Sequence, residues 1–238
     1  MTCNFSSDAA GAHVSRQNGR LLIVSPYFGE HGGGVERVAQ KMSEGLAARG
    51  WDVIWSASAE AAEAESFAAS GLRLVRLPIA AWNAVERAAG IPFPVWGSRG
   101  LARVWAAVGK VDAVVVHESL YIPSMLTAFV ARLRGKPMVL VQHVGAVPYR
   151  SALARGLMAL GNLSWSRAIH AMAYRKVYIS QTVMRYFKED VSGGACSLIP
   201  NGVDLECFQS RPGNAMADQN RPVMLFVGRF VEKEGLDM

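Results

Sequence analysis

Five short segments combine residue types and spacing that could do chemistry. Gly32-Gly33-Gly34 precedes Val35-Glu36. Glycines let a backbone approach a ligand closely, and their amides, with the positive end of a following helix, suit a phosphate or carboxylate. The segment has no Gly-Lys-Ser/Thr and is not a G-x-G-x-x-G fingerprint, so neither a P-loop nor a dinucleotide signature is present. A tight turn with no ligand is the alternative. His117-Glu118 and Gln142-His143 each end an apolar run with a titratable group, where an imidazole can donate, accept or stabilise charge near neutral pH. A histidine that merely fills a strand end remains the other reading of each. Asn201-Gly202, within Ile199–Asp204, marks a turn. Arg229 and Lys233 follow the run Val223–Val227, where two cations could hold a diphosphate, Arg229 with a two-pronged grip, or simply be solvated. The histidines His31, His117, His143 and His170 make no metal-ligand spacing, and neither do Cys3, Cys196 and Cys207, so no metal and no resident cofactor is expected.

The elements that must position these residues follow from hydrophobic periodicity. Leu21–Ser25 is a continuous apolar run of the kind buried on both faces of a parallel sheet. After the glycines, Val35, Val38, Ala39, Met42, Leu46 and Ala47 recur at helical spacing, with Gly50 as the stop. Trp51–Trp55 returns as a strand, completing a βαβ unit. Further strands are expected near Leu72–Leu77, Ala113–His117, Met138–Gln142, Val177–Ser180 and Ser197–Ile199. Helices are expected over Pro123–Leu133, Ser151–Ala173 and Gln181–Lys188, with two more, broken around Pro92 and Pro94, between Ala80 and Val108. The fold class is α/β, a doubly wound parallel sheet, and ligands of such sheets bind beyond the carboxyl ends of the strands.

The expected organisation is a flexible tail over 1–19, the α/β domain over 20–208, a polar linker over 209–221, and over 222–238 the first strand and helix start of a second, truncated domain. Composition supports a globular chain: 51% of the 238 residues are hydrophobic and 18% charged, which excludes disordered, collagen-like and disulfide-scaffold classes. No apolar run reaches membrane-spanning length, and the amino terminus lacks a signal-peptide centre, so a cytoplasmic location is expected. The net charge is 25 − 19 = +6. Between Glu118 and Glu189 there is no acid but ten Lys or Arg, a field suited to an anionic membrane surface, a phosphorylated ligand or nucleic acid. A solvated basic face is the plainer alternative.

Taken in order, these motifs resemble the family-4 glycosyltransferases, which pair two facing Rossmann-like domains in the GT-B architecture. The G-G-x-E loop is similar to Gly33-Gly34-Val35-Glu36, the I-P-N-G-V-D segment to Ile199–Asp204 with Phe208 following, and V-G-R to Val227-Gly228-Arg229. The resemblance spans about residues 20 to 238 and implies a retaining transfer from a nucleotide-sugar donor to a glycan or lipid-linked acceptor, without a metal. It implies that Gly33 and Gly34 approach the donor phosphates, that His143 is catalytic near the reacting sugar, and that Arg229 and Lys233 stabilise the leaving diphosphate. His31, Glu36, His117, Glu118 and Asn201 are candidates for the acceptor or the cleft. One departure is Glu234, which stands where the family commonly has a lysine before glycine. The donor-sugar carboxylates of the family would lie beyond Met238, so the chain alone is expected to be inactive. The expected partners are the donor, the acceptor and an anionic inner membrane face, with nucleic acid excluded. Two other classes stay open. A nucleotide-dependent oxidoreductase or epimerase could use the same sheet, although no acid closes the strand Val53–Ser56 to hold a ribose; a non-catalytic module could bind anionic surfaces.

Overall fold

The computed structural model describes residues 18–59, 69–70, 73–83, 93–145, 152–188, 195–203 and 205. The expected linker, the strand Val223–Val227 and the cations Arg229 and Lys233 lie outside these residues. Among the described residues, nine strands order as β3-β4-β2-β1-β6-β7-β8-β9, with β5 beside β4. They are β1 (Arg20–Tyr27), β2 (Asp52–Ala59), β3 (Ala69–Ser70), β4 (Leu74–Trp82), β5 (Val95–Trp96), β6 (Ala113–His117), β7 (Met138–Gln142), β8 (Arg175–Tyr178) and β9 (Ala195–Leu198). All pairs are parallel except β3 with β4 and β4 with β5. The expected parallel α/β sheet is therefore the observed one.

Both faces of the sheet are covered, which is why its central strands read as unbroken apolar runs. Along β1 the side chains alternate between two cores. Leu22 and Val24 join Val104, Ala128, Leu140 and Ile169 on one face, while Ile23 joins Ala39, Val53, Trp55 and Val115 on the other. The first face is packed by the helices α2 (Ser98–Gly109), α3 (Ile122–Leu133) and α5 (Arg167–Met172), the second by α1 (Gly34–Ala48). The helix α4 (Ala152–Gly161) runs into α5 through one wide π turn, 162–166, and α6 (Gln181–Lys188) packs Val183 and Phe187 on Tyr178.

Three expectations need correction. The stretch from Ala80 to Val108 opens with strand rather than helix: Ala80–Trp82 completes β4, Val95–Trp96 pairs with it antiparallel, and one of the expected helices, α2, follows, while the other would fall on 84–92, outside the described residues. The pairing of Ala81 with Trp96 and the bond from Trp96 Nε1 to Ser58 Oγ (2.8 Å) fix the short strand Val95–Trp96 against β4. Ser151–Ala173 is not one regular helix, because the π turn interrupts it. The strands expected at Val177–Ser180 and Ser197–Ile199 begin two residues earlier, at Arg175 and Ala195. Boundaries of this kind are set by the neighbouring strand's register, with Arg175 opposite both Val139 and Ala195.

The buried centre and the edge should respond differently to truncation. Leu140→Ala, at a fully buried position of β7, is expected to cost about 2–5 kcal/mol in urea unfolding. Leu198→Ala, on the partly exposed edge strand β9, is expected to cost less than about 1 kcal/mol.

Candidate functional site

The strand order reverses at β1, which has β2 on one side and β6 on the other. At such a switch point the connections leave on opposite faces and open a crevice at the carboxyl edge. The glycine loop follows β1 and His117-Glu118 follows β6, so two of the expected segments meet there. Gln142-His143 ends the next strand, β7.

The glycine loop is a short 3₁₀ turn, Gly29–His31, then Gly32 at φ 83° and Gly33 as the N-cap of α1. Gly32 needs its glycine because that φ is left-handed. At Gly33 the backbone is ordinary, and a Cβ there would displace the Glu36 carboxylate from its place. A Cβ on Gly34 would meet nothing within 4 Å, so the start of the helix faces open space. Glu36 itself is buried and accepts from its own backbone N–H, and burial pushes its carboxyl above the usual range. It occupies one donor of the helix start and leaves the amides of Gly34 and Val35 free of intrahelical partners.

The loop is pinned to the sheet from below. Arg76 of β4 donates to both carboxylate oxygens of Glu30, at 2.7 and 2.9 Å, and its guanidinium lies 4.1 Å from the Phe28 ring centroid and 5.6 Å from that of Trp55. The Arg76 hydrogen bonds hold the Glu30 carboxyl below its ordinary range. His31 is exposed and stacks on Tyr27, with centroids 4.0 Å apart.

His117 and His143 come together. Nδ1 of His117 lies 3.0 Å from Nε2 of His143, and the rings are stacked with centroids 5.3 Å apart. His117 is fully buried, and its backbone carbonyl accepts from Ser124 Oγ. Burial pushes His143 down to about 4 and His117 well below its usual range, the latter also through the neighbouring ring. Both are neutral at pH 7.

Glu118 is the hub of this corner. Its carboxylate accepts from the backbone N–H groups of Ser119 (3.2 Å), His143 (3.3 Å) and Val144 (2.9 Å), and from the Gln142 side-chain amide. Its own backbone sits at φ 69°, uncommon for a residue with a side chain. Burial pushes the carboxyl up to about 7, while the four N–H donors pull the other way by favouring the ionised form. The polar cluster continues from Ser119 Oγ to Ser166 Oγ (2.5 Å) on the π turn, and His170 Nδ1 lies 2.7 Å from the Ser166 carbonyl.

The sequence singled out neither Ser119, Ser166 and His170 nor the Arg76 to Glu30 clamp. The i, i+4 pair Ser166 and His170 was the available signal, but it reads equally as one helix face. Asn201 is exposed after β9, two strands beyond β7, and is not brought to the histidine pair. Among the described residues no group of three His, Cys, Asp or Glu could hold a metal ion.

The fold is that of the GT-B glycosyltransferases. Sucrose-phosphate synthase from Thermosynechococcus elongatus matches with 19% identity and a TM-score of 0.57, over 87% of this chain and 53% of that one. Anabaena Alr3699/HepE, solved in complex with UDP-glucose, matches with 15% identity and a TM-score of 0.53, over 82% of this chain and 47% of that one. The chain thus spans about half the length of these proteins. No curated protein matches it significantly. The Glycosyltransferase Family 4 model matches residues 32–207, from the glycine loop to beyond β9, and the chain belongs to that family.

The pH dependence of stability tests the Glu118 environment. Its folded value is about 7 against an ordinary 4.5, so between these the native state holds the proton that the unfolded chain has lost. This contribution stabilises below about 4.5 and is lost as pH rises towards 7. The buried His143 and His170, both lowered to about 4, work in the opposite direction and are common to wild type and Glu118→Gln. The stability of wild type minus that of Glu118→Gln, from urea unfolding across pH 4–8, is expected to fall with pH. A flat difference would mean that Glu118 titrates alike in the folded and unfolded chains, and a difference that rises with pH at the acid end would mean that the four donors keep the carboxylate ionised.

Proposed function

We propose that the chain supplies the acceptor-side half of a retaining glycosyltransferase that moves a hexose from a nucleotide sugar to a glycan or lipid-linked acceptor. The observation that carries this reading is the meeting of the glycine loop and the histidine pair at the sheet's switch point, in a chain of family 4. The open space at Gly34 leaves room for a phosphate at the free amides of α1. UDP-glucose bound to HepE supports a nucleotide sugar as the donor class. Charge develops on the diphosphate as the glycosidic bond to it breaks, and preorganised amides and cations stabilise it most there. Arg229 and Lys233 are the proposed cations, and no metal is invoked.

In this reading His143 stands beside the reacting sugar. In the complete enzyme, His143→Ala is expected to lower kcat by roughly 10²-fold with little loss of stability. A variant that is destabilised but turns over normally once folded would reduce His143 to a strand-end filler.

An anionic membrane face is the proposed site of action. Leu160, Leu163 and Trp165 are exposed along α4 and the π turn, and Arg155 and Arg167 are exposed on the same stretch. The segment between Glu118 and Glu189 holds no acid. Not all of its ten cations reach the surface, since Lys176 is buried in β8. Three or four in one plane are enough, each contributing about 1 kcal/mol near such a surface. Among the described residues no helix is long and apolar enough to cross a membrane, so contact would be interfacial. Liposome co-sedimentation is expected to rise with anionic lipid and fall with salt. Equal binding to neutral and anionic vesicles, or none, would point to a soluble acceptor.

A further inference from the structure

The histidine pair has four ring nitrogens and, with both rings neutral, two protons to place on them. His117 Nδ1 and His143 Nε2 share one hydrogen bond at 3.0 Å, so one of these atoms carries a proton and the other does not. His117 Nε2 is buried and has no partner among the described residues. His143 Nδ1 is the remaining nitrogen, and it is not among the buried orphaned atoms. Two arrangements satisfy the shared bond. If His143 Nε2–H donates, His117 must carry its own proton on Nε2, stranding a buried N–H. If His117 Nδ1–H donates, the orphan is only a lone pair. Orphaned N–H groups are the rarer of the two in folded proteins.

We propose that His117 is a positioning residue that locks His143 in the Nδ1–H tautomer, so that the atom His143 offers to the crevice is a hydrogen-bond donor with no lone pair to take up a proton. This rests on the reading above that the crevice binds the sugar donor, and it specifies the role of His143 there. The ring selects an oxygen acceptor, a sugar hydroxyl or a phosphate oxygen, and does not serve as a general base. The surroundings support the lock. Ser124 holds the His117 carbonyl, and Glu118 holds the backbone N–H of His143, so both rings are fixed from their main chains. The low proton affinity that burial gives each ring keeps the pair neutral and the tautomer defined at pH 7.

Long-range ¹H–¹⁵N spectra of the imidazoles in the labelled 238-residue chain at pH 7 read the tautomer directly. The His143 signals can be assigned by their loss in His143→Asn. His143 is expected to be protonated on Nδ1 and bare on Nε2. In His117→Phe, which keeps a ring but removes the donor, His143 is expected to shift predominantly to Nε2–H. In His117→Asn the amide N–H stands near the original Nδ1–H, and the Nδ1–H form of His143 should return. A wild-type His143 protonated on Nε2, or a tautomer indifferent to His117→Phe, would overturn the proposal. Should His117→Phe fail to fold, the wild-type spectrum decides by itself. The readout needs no turnover, so an adverse spectrum leaves the sugar-transfer reading intact, and absence of transfer in the complete enzyme leaves the tautomer result intact.

Discussion

A single buried carboxylate gathers the carboxyl ends of two neighbouring strands. Glu118 closes β6 and binds the first backbone N–H groups after β7, those of His143 and Val144, together with the Gln142 amide. Parallel strands leave such groups unpaired where their ladder stops, and a buried unpaired N–H costs as much as a lost hydrogen bond. Glu118 satisfies three of them at once, counting that of Ser119. It does so from a left-handed backbone conformation, so the bonds it makes must outweigh a cost of the order of 1 kcal/mol or more. The position of both histidine rings follows from this arrangement.

The glycine loop is held by a different means on the far side of the crevice. There the restraint is a cation, Arg76, sandwiched between an acid at the surface and two aromatic rings beneath it. Its partner Glu30 is largely exposed, so the ion pair alone is a weak tie. The stacking over Phe28 and Trp55 adds a contact that salt screens less, because it is partly removed from water. One wall of the crevice is thus fixed by a desolvated hydrogen-bond hub and the other by a surface clamp.

Much of this was legible in the sequence, and the reasons are local. β1, β6 and β7 are apolar on both faces because helices cover both faces, and a sheet open to water on one side would alternate instead. His117, Glu118 and His143 could be picked out because polar residues at the ends of those runs stand out against them. The bond between His117 and His143 could not be read, since it depends on the lateral register of β6 against β7, with His117 opposite Val141. Register leaves no trace in either strand alone. The short strand at Val95–Trp96 could not be read for a related reason: the Trp96 indole reaches Ser58, 38 residues away, and that distant bond leaves no local signal. Asn201 matched a motif, yet the sheet order carries it away from the histidines.

The π turn at 162–166 separates two stretches of helix with unlike neighbours. Before it lies Leu160 and within it Leu163, both turned outward; at its end and beyond lie Ser166 and His170, turned inward to the Ser119 corner. A π turn amounts to one residue inserted into a helix without breaking its hydrogen bonding. The insertion offsets the two halves by one residue's rotation, about 100°, so a stretch that turns Leu160 and Leu163 to solvent continues into one that turns Ser166 and His170 to the buried corner without a break in the chain's helical course.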